Sequence, residues 1–134
     1  MAEIDFSQFT VLLVEDNDFV RFMVKKHLSG FGFRRVVEAS DGQEGIQLFN
    51  QTEPDIVVCD ISMQPMDGFE FLKHIRNLNT PLRKVPFIFL TSRAESSAVV
   101  KARALEIDAY LIKPVMPQNL KNKITQILTK RMSA

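Results

Sequence analysis

Five short runs of apolar and mostly β-branched residues are distributed along the chain, at positions 10–14, 35–38, 55–59, 85–90 and 109–112. Inside the runs, polar residues do not alternate with apolar ones. A strand covered on both faces has this continuous pattern, whereas a half-exposed strand alternates. The runs therefore predict five buried strands of a parallel sheet.

Between these runs, apolar residues recur at the three- and four-residue spacing of one helix face. This spacing predicts five helices, one after each strand. The first helix is predicted to end at Ser29 and Gly30, because glycine commonly ends a helix. The apolar positions of the five predicted helices are, in chain order, Phe19, Phe22, Met23 and Leu28; Leu48 and Phe49; Phe71, Leu72 and Ile75; Ala98, Ala102 and Leu105; and Leu120, Ile124, Ile127 and Leu128.

Regular alternation of strand and helix predicts the α/β class, with a doubly wound parallel sheet, helices on both faces and right-handed crossovers. In such folds ligands bind at the carboxyl ends of the strands. The length of 134 residues fits one domain, with a core at about 10–128.

Composition and charge exclude several classes of protein. With 46% hydrophobic and 25% charged residues, the chain has the composition of a soluble globular domain. The net charge of +1 does not favour nucleic acid or an anionic membrane as a partner. The one cysteine, Cys59, lies in an apolar run, and the chain has no apolar stretch of about 18 residues to span a membrane. We therefore expect a cytoplasmic protein.

Residues suited to metal and phosphate chemistry follow four of the predicted strands. Glu15 and Asp16 follow the first, Asp60 the third, Thr91 the fourth and Lys113 the fifth. If the first and third strands are neighbours, three carboxylates meet, and a cation must relieve their repulsion. Oxygen ligands with room for water and phosphate favour Mg²⁺ over zinc. Lys113 would add a fixed cation and Thr91 a hydroxyl donor.

Each of these residues also has a purely structural interpretation. Glu15 and Asp16 could cap the helix that follows them, since acids favour that end of a helix. Asp60 could be a turn residue, and Lys113 with Pro114 a simple loop exit. Their occurrence together at one end of one sheet favours a functional site.

Four motifs extend this pattern. They are Val14-Glu15-Asp16-Asn17 after the first strand, Asp-Ile-Ser-Met-Gln-Pro-Met-Asp-Gly at 60–68, Thr91-Ser92 after the fourth strand, and Tyr110 three residues before Lys113-Pro114. In type and order they resemble the receiver domain of two-component response regulators, of the chemotaxis-regulator type, over 10–128. The resemblance implies a flavodoxin-like (βα)5 fold with strand order 2-1-3-4-5. We expect a receiver domain without an output domain, and the alternative is a receiver taken from a longer regulator or hybrid kinase.

The resemblance also implies a phosphorylation site. A histidine kinase or histidine phosphotransfer protein would donate a phosphoryl group to Asp60. Asp16, Asp60 and the backbone carbonyl of Ser62 would hold Mg²⁺, and Glu15 would contribute directly or through water. Lys113 would pair with the phosphoryl group, and the Lys113–Pro114 bond would be cis.

Signalling in the manner of this family would follow from a change of surface. Thr91 would move toward the phosphoryl group and Tyr110 would rotate into the space released, which would alter the face made by the fourth helix, the fifth strand and the fifth helix. Tyr110 could equally be ordinary sheet packing. The expected partner is a downstream protein, with a monomer or a phosphorylation-dependent dimer as the oligomeric state.

Two other functional classes occur on folds of this architecture. A metal-dependent phosphatase on the same fold would need a cap or a substrate pocket, and the short loops provide little material for one. A flavin-binding module would need a phosphate loop after the first strand, where the acidic residues would repel phosphate. We therefore expect a signalling switch and not an enzyme, beyond promoting its own phosphorylation and dephosphorylation.

Overall fold

The computed structural model describes residues 4–92 and 107–133. Five parallel strands form one sheet in the order β2-β1-β3-β4-β5, as the family resemblance implied. The strands are β1 (Thr10–Val14), β2 (Arg35–Ala39), β3 (Ile56–Asp60), β4 (Phe87–Thr91) and β5 (Ala109–Ile112). The predicted α/β fold is confirmed.

Five boundaries, on three of the strands, differ from the predicted runs. β3 begins at Ile56 and not at Asp55. The Asp55 carboxylate accepts a hydrogen bond from the Thr10 N–H at 2.7 Å, which fixes the residue before β3 against the start of β1. β4 begins at Phe87, since Pro86 has no N–H to donate to a neighbouring strand. At the other ends, β2 extends to Ala39, β3 to Asp60 and β4 to Thr91.

Four helices surround the sheet in the part of the chain that the structure describes. They are α1 (Asp18–Phe31), α2 (Gly42–Thr52), α3 (Gly68–Arg76) and the C-terminal helix (Pro117–Met132). Short 3₁₀ turns lie at Phe6–Gln8 and Pro81–Lys84. The helix predicted around Ala98, Ala102 and Leu105 lies outside the described residues.

The prediction for α1 was wrong in two respects. The helix does not end at Ser29 and Gly30 but continues to Phe31, and Gly32 adopts the left-handed conformation (φ 96°) that ends it. Phe19 and Phe22 do not face the core, because their side chains are 73% and 63% exposed. Leu28 is buried as predicted, and Val24, which was not among the predicted apolar positions, is buried with it.

The core has two layers, one on each face of the sheet. Successive residues of a strand point to opposite faces, so that Leu12 packs with α2 and α3 while Leu13 packs with α1 and the C-terminal helix. Cys59 is fully buried in the layer that contains Leu12, as its apolar surroundings predicted. None of the described helices is both long enough and apolar enough to cross a membrane.

Candidate functional site

The carboxyl ends of three central strands bring the predicted site residues to one edge of the sheet. Glu15 and Asp16 follow β1, Asp60 is the last residue of β3, and Thr91 is the last residue of β4. β3 pairs with both β1 and β4, so that these ends are adjacent. Lys113 follows β5, and its N–H donates to the Thr91 carbonyl at 2.8 Å. The strand order therefore assembles the site.

Three carboxylates meet at this edge. One oxygen from each of Glu15, Asp16 and Asp60 lies within 4.8 Å of the other two. Glu15 is fully buried and Asp60 is 4% exposed, whereas Asp16 is open to solvent. Two acids of the cluster are therefore buried, and the third is exposed to solvent.

Lys113 reaches into the same cluster from β5. Its Nζ lies 2.8 Å from Asp60 Oδ1 and 3.1 Å from Glu15 Oε1. The Lys113–Pro114 peptide bond is cis, as the resemblance implied. One ammonium group therefore faces two buried carboxylates, and the charge of the cluster is only partly balanced.

The electrostatics follow from burial and from this imbalance. Burial, and then the charge of Asp60, raise the pKa of Glu15 to about 7, against the lowering effect of Lys113. Burial also raises the pKa of Asp60, although its hydrogen bond to Lys113 opposes this. For Lys113, burial acts to lower the pKa, but the bond to Asp60 and the neighbouring negative charges raise it overall. The pocket therefore favours added positive charge.

The buried carboxylate of Glu15 is incompletely satisfied. Its Oε2 accepts a hydrogen bond from the Asn17 N–H at 3.2 Å, but Oε1 accepts no well-aligned hydrogen bond. Lys113 Nζ lies 3.1 Å from Oε1, so that this oxygen has an ion-pair contact but no hydrogen bond of good geometry. A buried acceptor of this kind is favourably completed by an ion or water. Hard divalent cations bind carboxylate oxygens of this kind, so that the residues present fit a Mg²⁺ site.

The acidic pair after β1 does not cap α1. Asn17 is the N-cap residue, and its side chain accepts a hydrogen bond from the Val20 N–H at 3.0 Å. Glu15 and Asp16 are therefore left for the pocket, which removes the structural interpretation of that pair.

The loop after β3 holds the Asp60 backbone tightly. Gly68 starts α3 and lies against the Asp60 carbonyl, and the Gly68 N–H donates to the Ile61 carbonyl at 2.8 Å. Asp67 and Glu70 form a reciprocal capping box at the same helix start. An acid three residues before a glutamate is the sequence pattern of a capping box, and we did not predict the capping box from it. The Gln64–Pro65 bond of this loop is cis, which was also not predicted.

The remaining predicted residues lie around the cluster. Thr91 is buried and its hydroxyl is 3.1 Å from the Ser92 carbonyl, to which it donates. Ser62 is exposed at the start of the loop after β3. Tyr110 lies on β5 with its side chain 39% exposed, in a groove of about 580 Å³ that Met116 also lines. The switching roles of Thr91 and Tyr110, and the metal contact of Ser62, stay predictions.

The sequence profile of the response regulator receiver domain matches residues 11–125. The chain belongs to the response regulator receiver family. This assignment agrees with the motifs at the strand ends and with the strand order.

Individual relatives agree with the family. The receiver domain is 33% identical over 119 residues to the transcriptional regulatory protein AfsQ1 of Streptomyces coelicolor. The aligned region covers 89% of this chain and 51% of AfsQ1. It is 31% identical over 117 residues to the chemotaxis protein CheY-3 of Vibrio cholerae, which covers 87% of this chain and 89% of that protein. The chain thus spans about half the length of some curated relatives and most of others.

A solved structure is similar as well. The REC domain of AraT, a response regulator from Geobacillus stearothermophilus, superposes with a TM-score of 0.80 at 29% identity. The similarity covers 92% of this chain and 98% of that domain. The receiver fold is therefore shared over nearly the whole chain.

Without metal, the stability of the receiver domain is expected to fall as the pH rises from about 5 to about 8. The pKa of Glu15 is about 7 when folded against 4.5 as a reference, so that between these values the folded state keeps a proton that the unfolded state releases. Rising pH therefore favours unfolding, by about 3 kcal/mol for a shift of this size. Thermal unfolding in EDTA across this range measures the effect.

Two glutamine variants isolate the contribution of Glu15. Glu15→Gln cannot titrate, so that its melting temperature should fall much less with pH than that of the wild type. Glu53→Gln removes an exposed carboxylate instead and should keep the wild-type slope. Equal slopes for all three proteins would contradict the assignment of this pH dependence to Glu15.

Proposed function

We propose that this receiver domain is a phosphorylation-controlled switch in which Asp60 accepts a phosphoryl group. The observation that carries the proposal is the 2.8 Å contact between Lys113 Nζ and Asp60 Oδ1, beside two further carboxylates within 4.8 Å. Asp60 is thereby held at the carboxyl end of β3 with a fixed cation on one side and acidic oxygens on the other.

In the proposed reaction a carboxylate oxygen of Asp60 forms a bond to phosphorus as the bond from phosphorus to the donor nitrogen breaks. The leaving imidazole of a phosphohistidine keeps the electron pair and takes up a proton. Lys113 then shifts its hydrogen bond from the carboxylate to an oxygen of the transferred group. Fixed cations of this kind stabilise the charge of a phosphoryl transition state.

Glu15, Asp16 and Asp60 would hold a Mg²⁺ ion, with the backbone carbonyl of Ser62 as a further ligand. When bound, the ion supplies positive charge to the carboxylates and to the phosphoryl oxygens. The unsatisfied Glu15 oxygen and the raised pKa values of Glu15 and Asp60 support this assignment.

The partners in this proposal are a histidine kinase or histidine phosphotransfer protein as donor and a downstream protein as target. Phosphorylation would draw Thr91 toward the site and let Tyr110 turn inward, which would change the surface around β5. The domain would act in the cytoplasm as a signalling component and not as an enzyme.

Intact mass after incubation with acetyl phosphate and Mg²⁺ tests the proposal. The wild type should gain the mass of one phosphoryl group, and neither Asp60→Asn nor wild type in EDTA should gain it. Asp41→Asn is the matched control, because it removes an acid at the N-cap of α2, where asparagine caps equally well. It should be modified like the wild type.

Beryllium fluoride with Mg²⁺ provides a second readout, since it imitates a phosphorylated carboxylate. In nuclear magnetic resonance spectra, the amide signals of Thr91 and Tyr110 should shift on its addition. If no mass is gained and the spectrum does not change, Asp60 is not a phosphoacceptor.

A further inference from the structure

Arg21 is a residue near the site to which the sequence motifs assign no role. It lies one turn into α1, and its side chain is 19% exposed. Its Nη1 donates a hydrogen bond to the backbone carbonyl of Glu15 at 2.8 Å. Its own backbone N–H donates to the Asn17 carbonyl at 2.9 Å. Arg21 therefore contacts both ends of the three-residue segment that carries the acidic pair.

The contact to Glu15 fixes the backbone of that segment from one side. From the other side, the Glu15 N–H donates to the Ala39 carbonyl at the end of β2, at 3.0 Å. Both polar groups of the Glu15 backbone are thereby bonded, one to β2 and one to α1. The Glu15 N–H belongs to the Val14–Glu15 peptide and the Glu15 carbonyl to the Glu15–Asp16 peptide, so that the two bonds hold the peptides on either side of the Glu15 Cα. Of these two bonds, the one from Arg21 acts on the peptide that joins Glu15 to Asp16.

Three nitrogens of Arg21 have three different partners. Beside the Nη1 bond, Nη2 lies 2.7 Å from the Asp18 carboxylate and Nε lies 3.6 Å from that of Glu38. Only the planar guanidinium presents donors in three fixed directions, whereas lysine has a single nitrogen. The carboxylates hold the guanidinium in place, so that its third donor is aimed at the Glu15 carbonyl.

We propose that Arg21 is a positioning residue that orients the Glu15–Asp16 peptide for binding of a divalent cation. The inference rests on the proposed function, because it concerns the same acidic cluster. Arg21 touches neither the cation nor Asp60, and it acts through the backbone that carries two of the ligands. Losing an outer partner of this kind typically weakens metal binding about tenfold or more.

Titration of the Arg21→Gln protein with Mg²⁺, followed by nuclear magnetic resonance, tests the inference. We expect binding about tenfold weaker than in the wild type. In the metal-free protein, the carbonyl ¹³C resonance of Glu15 should also move, because it loses a charged donor. At saturating Mg²⁺ the rate of phosphorylation by acetyl phosphate should approach that of the wild type, since Asp60 and Lys113 are intact.

Lys25→Met is the matched control. Lys25 lies one turn further along α1 and bonds Glu38 at 2.7 Å, so that its loss disturbs the same helix and the same carboxylate. Its Mg²⁺ affinity and Glu15 resonance should match those of the wild type. Arg21→Lys, which keeps the charge and most of the aliphatic stem, should behave like Arg21→Gln because its nitrogen is drawn to the carboxylates.

The outcomes separate this inference from the proposed function. An unmoved Glu15 resonance and unchanged Mg²⁺ affinity in both Arg21 variants would overturn the positioning role, even if the wild type is phosphorylated normally. Equal weakening by Lys25→Met would also overturn it. If the wild type gains no phosphoryl mass, the proposed function fails, while the Glu15 resonance still decides whether Arg21 holds the peptide.

Discussion

Replacing Gly68 with alanine is expected to destabilise the domain by about 3 kcal/mol or more. A Cβ atom on Gly68 would lie 2.4 Å from the Asp60 carbonyl oxygen and 2.9 Å from the Ile61 Cα. Both contacts are to backbone atoms, which cannot move aside as the end of a flexible side chain can. Either the start of α3 or the end of β3 must shift. Urea denaturation should show a lower midpoint at an unchanged slope.

Gly30→Ala is the matched control for this substitution. Gly30 lies within α1, and a Cβ atom there would meet no other atom within 4 Å. Alanine in an exposed helical position stabilises by about 0.5 to 1 kcal/mol relative to glycine, so that this variant should gain stability. If Gly68→Ala unfolds at the same urea concentration as the wild type, the close approach of α3 to Asp60 is not a constraint.

Gly68→Ala should also impair the site. The displaced carbonyl belongs to Asp60, so that a shift there would move the carboxylate relative to Lys113. Phosphorylation by acetyl phosphate in the folded fraction should therefore be slower than in Gly30→Ala. Misplacement of a reacting group by about 1 Å can reduce a rate about 100-fold.

Replacing Lys113 with methionine is expected to separate two roles of one ammonium group. Without metal at about pH 8, its loss leaves the buried carboxylates of Glu15 and Asp60 without their fixed cation. Removing one partner of a buried pair typically destabilises by about 3 kcal/mol or more. The destabilisation should be smaller at about pH 5, because the pKa of Glu15, raised to about 7, lets that acid take up a proton. Urea denaturation at the two pH values measures the difference.

The second role concerns phosphoryl transfer. Mg²⁺ should restore much of the lost stability of Lys113→Met, since the ion supplies positive charge to the same carboxylates. It should not restore the rate of phosphorylation, which we expect to be about 100-fold slower without the lysine. Lys73→Met, which removes an exposed cation on α3, should change neither quantity. A normal rate in Lys113→Met would show that this ammonium is not needed for transfer.

The sequence predicted the sheet better than the helix faces. Strands buried on both sides are continuous apolar runs, and the residue after such a run must lie at the sheet edge. Glu15, Asp16, Asp60 and Lys113 could therefore be placed together without coordinates. Phe19 and Phe22 could not be placed correctly, because helical spacing alone does not say how a helix is rotated against the sheet. Leu28 is buried as predicted, together with Val24, which was not among the predicted positions.

Other features of the site depend on contacts between distant segments. The contacts of Lys113 Nζ with Glu15 and Asp60 depend on the pairing of four strands, β1, β3, β4 and β5. The contact of Arg21 with the Glu15 carbonyl depends on how α1 is oriented, which Asn17 sets as the N-cap. The sequence analysis considered Glu15 and Asp16 as caps and did not consider Asn17, although asparagine is a preferred N-cap residue. The hydrogen bond from the Val20 N–H to the Asn17 side chain identifies the cap in the structure.

The pairing of β4 with β5 restricts how the chain can change in length. Thr91 lies opposite Ile112, and Lys113 is the next residue along. Because side chains alternate between the faces of a strand, deleting one residue from β5 would turn every later side chain of the strand to the opposite face. Lys113 would then point away from Asp60. The strand itself would still place apolar residues on both faces, because all four residues of β5 are largely apolar. Insertions and deletions in related chains should therefore fall in the connections, and strand length should be inherited almost unchanged.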